Sequence, residues 1–428
     1  MNDLNILASD REPIDIDRAM KSFAKSYTSL EALRLESCIH CGMCADACHF
    51  YIATEDPKYT PILKAEPLKQ AYKREAGPFA PIYRWLGLKH AVTESELKEW
   101  QHLIYESCNM CGRCSLICPM GIDVAALIRE ARCAMADAGL APAELAVRAR
   151  NQLETGRPEP GDPYADALRA IGAEYGVDVP IDLDEADVYM CIPRTDIERY
   201  PTTVVSMVKI MKHLGLRATF RSIGLLADNY GYYTGDREDQ WAITEKIVNE
   251  AVACNAKTLV IPDCRHAYTA LRWEAADSYG GTLPFKVRDN TEFLAEQLNE
   301  GKLRLKPADT GSVVFHDPCQ LVHKHYLPEP SRELMAALGL DLHELENNRQ
   351  YSFCCGGGGG VIEQDGAKKL RYRAQQMKLR EIDEAQADTF MTSCSGCRLA
   401  FDDAGQHFNW DKSPQSLLEM VANNLIEE

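Results

Sequence analysis

The spacing of apolar positions divides the chain into two textures. Up to about residue 145 they recur at helical intervals, as in SELKEWQHLIYES (95–107) and DVAALIREARCAMADAGL (123–140). Asp123 stands as N-cap of the second stretch and Gly139 as its stop, because a short carboxylate satisfies free amides at a helix start and glycine takes the left-handed turn that ends one. From Val188 onward, short β-rich runs (VYMCI, TLVI, SVVF, TFMT) alternate with helical patterns such as Val204, Val205, Met207, Val208, Met211 and Leu214. That alternation predicts an α/β arrangement. Between the textures lies TGRPEPGDPYADALRAIGAEYGVDVPIDLDEAD (155–187), whose proline, glycine and acid content predicts a linker.

The β-rich part repeats itself. Cys191 and Pro193 after one strand are answered by Pro318 and Cys319 after another, and a strand running into Cys264-Arg265 is answered by one running into Cys397-Arg398 at a similar separation. With 428 residues the chain has room for two or three domains. The expected fold class is α+β/α/β. A mostly helical unit spans 1–150, a linker 151–185, and two related α/β halves 186–300 and 301–428.

Composition sharpens this picture through cysteine. The 17 cysteines fall in tight clusters separated by long empty stretches, a pattern of metal sites in a reducing compartment rather than of secreted disulfides. The first twenty residues carry scattered charge and no apolar core of signal-peptide length, and no run is long enough to cross a bilayer, so a cytoplasmic chain is expected. A net charge of −17 opposes nucleic acid and weakens docking on anionic lipid; a protein partner is the better expectation.

Cys38, Cys41, Cys44 and Cys48 form C-x2-C-x2-C-x3-C, and Cys108, Cys111, Cys114 and Cys118 repeat it, followed by Pro119. Thiolates at this spacing wrap three corners of a cubane while the fourth reaches to the neighbouring cluster. Two cubane [4Fe–4S] clusters follow, one on Cys38, Cys41, Cys44 and Cys118, the other on Cys108, Cys111, Cys114 and Cys48. His49 stands where Pro119 stands in the second run, a departure that leaves the ligands intact. The insertion GPFAPIYRWLGLKH between the runs offers Phe79, Tyr83, Trp85 and Leu86 either as a docking surface or as cover for the clusters.

The last third holds Cys319, then Cys354-Cys355-Gly356, then Cys394-Ser395-Gly396-Cys397. Thiols distributed over strand ends converge at the carboxyl edge of a sheet, where a soft iron or zinc centre is the natural occupant. The run Gly356–Gly360 lacks a dinucleotide or phosphate-loop fingerprint and reads instead as backbone that must approach something bulky. His316, His323, Lys324 and His325 flank Cys319 either as proton donors or anion binders, or as loop residues with supporting hydrogen bonds.

The set Cys319, Cys354-Cys355-Gly356, Cys394-x-x-Cys397 resembles the CCG domain of the heterodisulfide reductase superfamily, and with two ferredoxin motifs the chain resembles that superfamily's fused iron–sulfur subunits. CIHCGMCADACHFYIATEDPKYTPILKAEP and CNMCGRCSLICPMGID are most similar to the K-type subunit of the Dsr membrane electron-transfer complex. The resemblance implies one noncubane [4Fe–4S] cluster on the five cysteines; His323 and His325, from the run flanking Cys319, are the candidate proton donors. It further implies an oxidoreductase acting on a disulfide, persulfide or trisulfide, held at the cytoplasmic face of the membrane by a cytochrome b-like or other quinone-reactive subunit. The substrate is then a sulfur-carrier protein or a small disulfide. Electron-transfer subunits of glycolate or glycerol-3-phosphate dehydrogenase complexes share the layout and give the alternative. In the first half, Asn229-Tyr230-Gly231 replaces the double cysteine and glycine, and Ile261 stands opposite Cys394, so a second such cluster is not expected there. Its Cys191 and Cys264 are either a dithiol or inert core, and Cys133 and Cys254 are core.

Overall fold

The computed structural model describes residues 14–25, 28–75, 79–87, 92–261 and 266–426. Its first part is helical. Thr93 opens Glu94–Gln101 with a capping box, its hydroxyl accepting from the Glu96 amide (3.2 Å) while Glu96 accepts from the Thr93 amide (2.8 Å). Asp123 caps Val124–Asp137 by accepting from the Ala126 amide at 3.0 Å, and Gly139, at φ 76°, ends it as expected. Ala19 and Phe23 of Ile16–Lys25, Leu68 and Ala71 of Glu66–Glu75, and Leu127 and Ala131 of Val124–Asp137 share one buried core.

The expected linker needs correction. Within 155–187 a helix, Tyr164–Tyr175, lays Tyr164, Leu168 and Ile171 into the same core as the first sheet. Burying a leucine contributes about 1.5–3 kcal/mol, so this segment is anchored. Pro163 precedes the helix and Gly176, at φ 66°, closes it, so the residues that read as linker are its punctuation.

Two four-stranded sheets follow. β1 (Val188–Met190), β2 (Ala218–Thr219), β3 (Thr258–Ile261) and β4 (Lys286–Asp289) form the first in the order β2-β1-β3-β4. β5 (Ser312–His316), β6 (Asp341–His343), β7 (Thr389–Thr392) and β8 (Gln415–Ser416) form the second in the order β6-β5-β7-β8. All pairings are parallel, with Val188 opposite Thr258 in one sheet and Val313 opposite Thr389 in the other. The helix Pro201–His213 covers the first sheet with Val204, Val205, Met207, Val208 and Met211. No helix among the described residues is long and apolar enough to cross a membrane.

Candidate metal centres

Each ferredoxin run folds as a short loop with two left-handed residues. His40 (φ 52°) and Gly42 (φ 81°) bracket Cys41; Met110 (φ 50°) and Gly112 (φ 88°) bracket Cys111. That backbone turns successive thiols toward one point. Cys38, Cys41, Cys44 and Cys118 line one cavity; Cys48, Cys108, Cys111 and Cys114 line another. Cys41 is exposed, whereas Cys48, Cys108, Cys111 and Cys114 are half-buried.

The third gathering lies at the carboxyl ends of the second sheet. Cys319 follows β5, Cys354 and Cys355 lie in the loop after β6, and Cys394 follows β7 as N-cap of the helix Ser395–Phe408, whose first turn holds Cys397. All five are buried. The Cys354 thiol lies within hydrogen-bonding reach of Cys319 and Cys355, and Cys397 within reach of Cys355 and Cys394. The chamber's other wall comes from the first half: His266 and Tyr268 beyond β3, and Asp289 at the end of β4. The two carboxyl edges therefore face one another across the thiols.

Cys354 also reaches Cys111, so the third chamber touches the second. Asn109 fastens the contact: its Nδ2 donates to the carbonyls of Gly356 (2.9 Å) and Gly358 (3.0 Å), and its Oδ1 accepts from His49 Nε2 (3.0 Å). The glycine run is what permits this approach. A Cβ on Gly359 would stand 2.9 Å from the Asn109 backbone, and one on Gly357 2.8 Å from Ala400. At Gly358 and Gly359 the bulky neighbour is thus the second ferredoxin loop, while Gly357 admits the helix Ser395–Phe408. Burial lowers His49 to about 4, so it is a neutral donor next to Cys48.

The donor chemistry suits iron–sulfur clusters. Burial, then the neighbouring thiols Cys111, Cys108 and Cys48, push Cys114 well above the usual thiol range, so a thiolate at that position calls for a bound cation. Sulfur atoms here already accept N–H bonds, from Met110 to Cys108 (3.4 Å), from Gly356 to Cys354 (3.4 Å) and from Lys64 Nζ to Cys48 (3.3 Å). His316, fully buried, has its ring nitrogen within 4.8 Å of the Cys355 and Cys397 sulfurs. Burial keeps it neutral.

The flanking residues divide. His323 Nδ1 donates to the Cys111 carbonyl (3.0 Å) between the second and third chambers. Lys324 packs over Gly112 and pairs with Asp123 at 3.5 Å. His325 is corrected: it faces a polar cleft of about 460 Å3 rather than the thiol chamber. Its Nδ1 accepts from the Trp273 indole (2.6 Å), and burial, with Arg272 and Lys324 nearby, holds it down to about 3. A charged imidazolium donor at that position is therefore excluded near neutrality.

Cys191 is fully buried with its thiol toward the Leu225 carbonyl (3.3 Å), and burial raises it; Cys264, its suggested partner, lies outside the described residues. Cys133 and Cys254 are core. Phe79, Trp85 and Leu86 are exposed, Trp85 by 85%, so they do not cover a cluster; the Tyr83 side chain lies outside the described residues. Sequence reasoning missed Lys64, Asn109 and Asp196. Asp196, buried against Ser395 and Arg398 beside the third chamber, is raised to about 7 by burial. Nothing in the spacing marks any of the three.

Fold and site together define an iron–sulfur protein with a dicluster domain joined to a cysteine-rich α/β domain. Residues 34–122 match the 4Fe-4S dicluster domain family, and residues 313–402 match the CCG cysteine-rich domain family. An Hdr-like menaquinol oxidoreductase iron-sulfur subunit of Archaeoglobus profundus is 24% identical over 98% of this chain and 83% of that protein. The D-type polypeptide of the dihydromethanophenazine:CoB–CoM heterodisulfide reductase of Methanosarcina acetivorans is 22% identical over 94% of this chain and 96% of its own length. An EtfAB:quinone oxidoreductase of Syntrophomonas wolfei is 25% identical over 86% of this chain and 54% of its own. The chain thus carries both domain families and is similar along most of its length to iron–sulfur subunits of the heterodisulfide reductase type.

Proposed function

We propose that this chain is the electron-transferring iron–sulfur subunit of a quinone-linked complex with heterodisulfide-reductase-like activity. Cys38, Cys41, Cys44 and Cys118 hold one cubane, Cys108, Cys111, Cys114 and Cys48 a second, and Cys319, Cys354, Cys355, Cys394 and Cys397 a noncubane [4Fe–4S] cluster. When bound, the cubanes carry single electrons and the five-thiolate centre supplies a place for sulfur chemistry. The observation that carries the reading is the unbroken series of thiol chambers, from exposed Cys41 through the Cys111–Cys354 contact to five buried cysteines.

The chain's own residues arrange the rest. Ile39 (64% exposed), Met43 and Met120 ring the outer chamber with apolar surface, suited to a quinone-reactive membrane subunit of the cytochrome b-like kind. Such a partner would hold the chain at the cytoplasmic face of the membrane. At the far end His266, Tyr268 and Gln320 exclude water from the five thiols. A carboxyl titrating near neutrality, Asp196, stands beside them to hold a proton for the disulfide, persulfide or trisulfide substrate. This layout is the one expected of the K-type subunit of the Dsr complex.

The test is iron, acid-labile sulfide and electron paramagnetic resonance of anaerobically purified wild type against Cys355→Ala. Loss of one signal with both cubane signals retained is expected; unchanged iron and spectra refute the assignment. A second reading, in which a flavoprotein feeds the chain and no disulfide is cleaved, is favoured by the likeness to an EtfAB:quinone oxidoreductase. Native co-purification separates them: a flavoprotein partner supports the second, and a cytochrome b-like subunit with a sulfur carrier the first.

A further inference from the structure

Eight lysines and arginines are buried among the described residues: Lys64, Lys69, Arg113, Arg129, Arg132, Arg332, Arg371 and Lys378. Four have carboxylate partners, Arg129 with Glu274, Arg332 with Asp317, Arg371 with Asp403 and Lys378 with Glu381. Among the described residues the other four have none. Burying a cation without a counter-charge is costly, so these four demand a source of negative charge.

Three of them converge on the second chamber. Lys64, 2% exposed, directs Nζ to Cys48 Sγ (3.3 Å) and to the Ser107 carbonyl, over the Phe50 ring. Arg132 is fully buried and turns its donors to backbone carbonyls, among them Cys108 (2.9 Å), Tyr233 (3.0 Å) and Gly359 (2.6 Å). Arg113, between Cys111 and Cys114, stacks on Phe353 at 3.7 Å and donates to the carbonyls of Tyr351 (2.8 Å) and Asp46 (3.2 Å). The fourth, Lys69, meets His40 Nε2 at 2.6 Å in the first loop, whose Cys41 is open to solvent.

We propose that Lys64, Arg113 and Arg132 are the fixed counter-charges of the second cubane, holding its reduction potential up where burial would otherwise drive it down. This rests on the reading above, in which Cys48, Cys108, Cys111 and Cys114 ligate that cluster. Reduction adds one negative charge to a four-thiolate site. Water compensates more of that charge at the first centre, where Cys41 is exposed, than at the second, whose four thiols are half-buried. The cations take over that task, and in return the thiolates and cluster supply the negative charge that the carboxylate-free cations lack. They act on the cluster through its ligands and are positioning residues rather than reactants.

Potentiometric titration of the full cluster-loaded chain, followed by electron paramagnetic resonance, tests this. Lys64→Met should lower the midpoint of one cubane by at least ~59 mV, a tenfold fall in its one-electron reduction constant. The other cubane should not move, and Lys64→Arg, which keeps charge and donor, should stay near wild type. Arg113→Met should move the same signal in the same direction. Loss of one cluster's iron in Lys64→Met but not in Lys64→Arg is the same result in stronger form. Unmoved midpoints, equal shifts in both cubanes, or a Lys64→Arg variant that falls as far as Lys64→Met overturn the proposal while leaving the proposed function standing. A wild-type chain without cubane signals overturns both.

Discussion

Replacing Asn109 with alanine should loosen the joint between the dicluster and cysteine-rich domains more than it weakens either domain. The side chain is 2% exposed and makes three hydrogen bonds, two to glycine carbonyls of the far domain and one from His49. Alanine removes all three and strands two carbonyls and an imidazole N–H. A net hydrogen bond contributes about 1 kcal/mol and a stranded buried group costs about 1–3, so the loss sums to roughly 3–5 kcal/mol. A chain of several domains does not unfold as one step, so the process to follow is local opening at this joint. Since 1.4 kcal/mol is a factor of ten, the open population should rise by about a hundredfold or more. Anaerobic bleaching of the visible cluster absorption by a chelator, with reclosing fast, reads that population as a rate. Asn109→Asp keeps an acceptor for His49 but strands both carbonyls and buries a charge, so it should bleach faster than Asn109→Ala. A rate within about threefold of wild type, the scatter of an ordinary surface substitution, or an aspartate slower than the alanine, would refute the role assigned to Asn109.

Asp196, raised to about 7 by burial, keeps its proton in the folded state where an unfolded aspartate, near 3.9, has lost it. Stability should therefore decline as pH climbs from about 4 to about 7 and level off above, by up to ~4 kcal/mol. Asp196→Asn should flatten that slope in denaturation midpoints compared at about pH 5 and about pH 8; an unchanged slope would dismiss the buried proton. Cys254→Ala, a fully buried thiol outside the three chambers, should cost no more than ~1 kcal/mol and leave iron content at the wild-type value, measured by metal analysis. Trp85→Ala, at a residue 85% exposed, should change melting by less than ~0.5 kcal/mol yet weaken retention of the proposed quinone-reactive partner in pull-down; equal retention would remove this residue from the docking surface.

The strands legible in the sequence were the ones buried on both faces. VYMCI, TLVI, SVVF and TFMT became β1, β3, β5 and β7, the central strands of the two sheets, because a parallel strand covered on both sides must be continuously apolar. The edge strands β2, β4, β6 and β8 escaped notice. Two are only two residues long, and the others carry exposed Lys286, Asp341 and His343, so neither length nor hydrophobicity marks them. The thiol clusters stood out because a ligand loop has to be short and local. Lys64 and Asn109 did not, because their roles depend on partners brought together by the fold: Lys64 meets Ser107 as well as Cys48, and Asn109 meets Gly356. His325 misled for the converse reason, since adjacency to Cys319 in sequence says nothing of which wall of a turn a side chain faces.

The half without a thiol set contributes through the same geometry. Asn229, which the sequence reading set opposite the cysteine pair, caps the helix Tyr230–Thr234: its Oδ1 accepts from the Tyr232 amide (2.9 Å) and its Nδ2 donates to the Gln240 carbonyl (3.0 Å). The following tyrosines then pack into the dicluster core, and Arg132 donates to the Tyr233 carbonyl. Gly235, where a Cβ would stand 2.4 Å from the Arg132 backbone, allows that seat. Tyr232 and Tyr233 pack on the His266 ring, which lines the five-thiol chamber, and at the same time sit in the core of the electron-carrying domain. A Gly235→Ala substitution, at a residue that lines none of the three chambers, is accordingly expected to shift the tyrosines that pack on His266 and so disturb the third chamber's wall, read as a loss of iron in metal analysis.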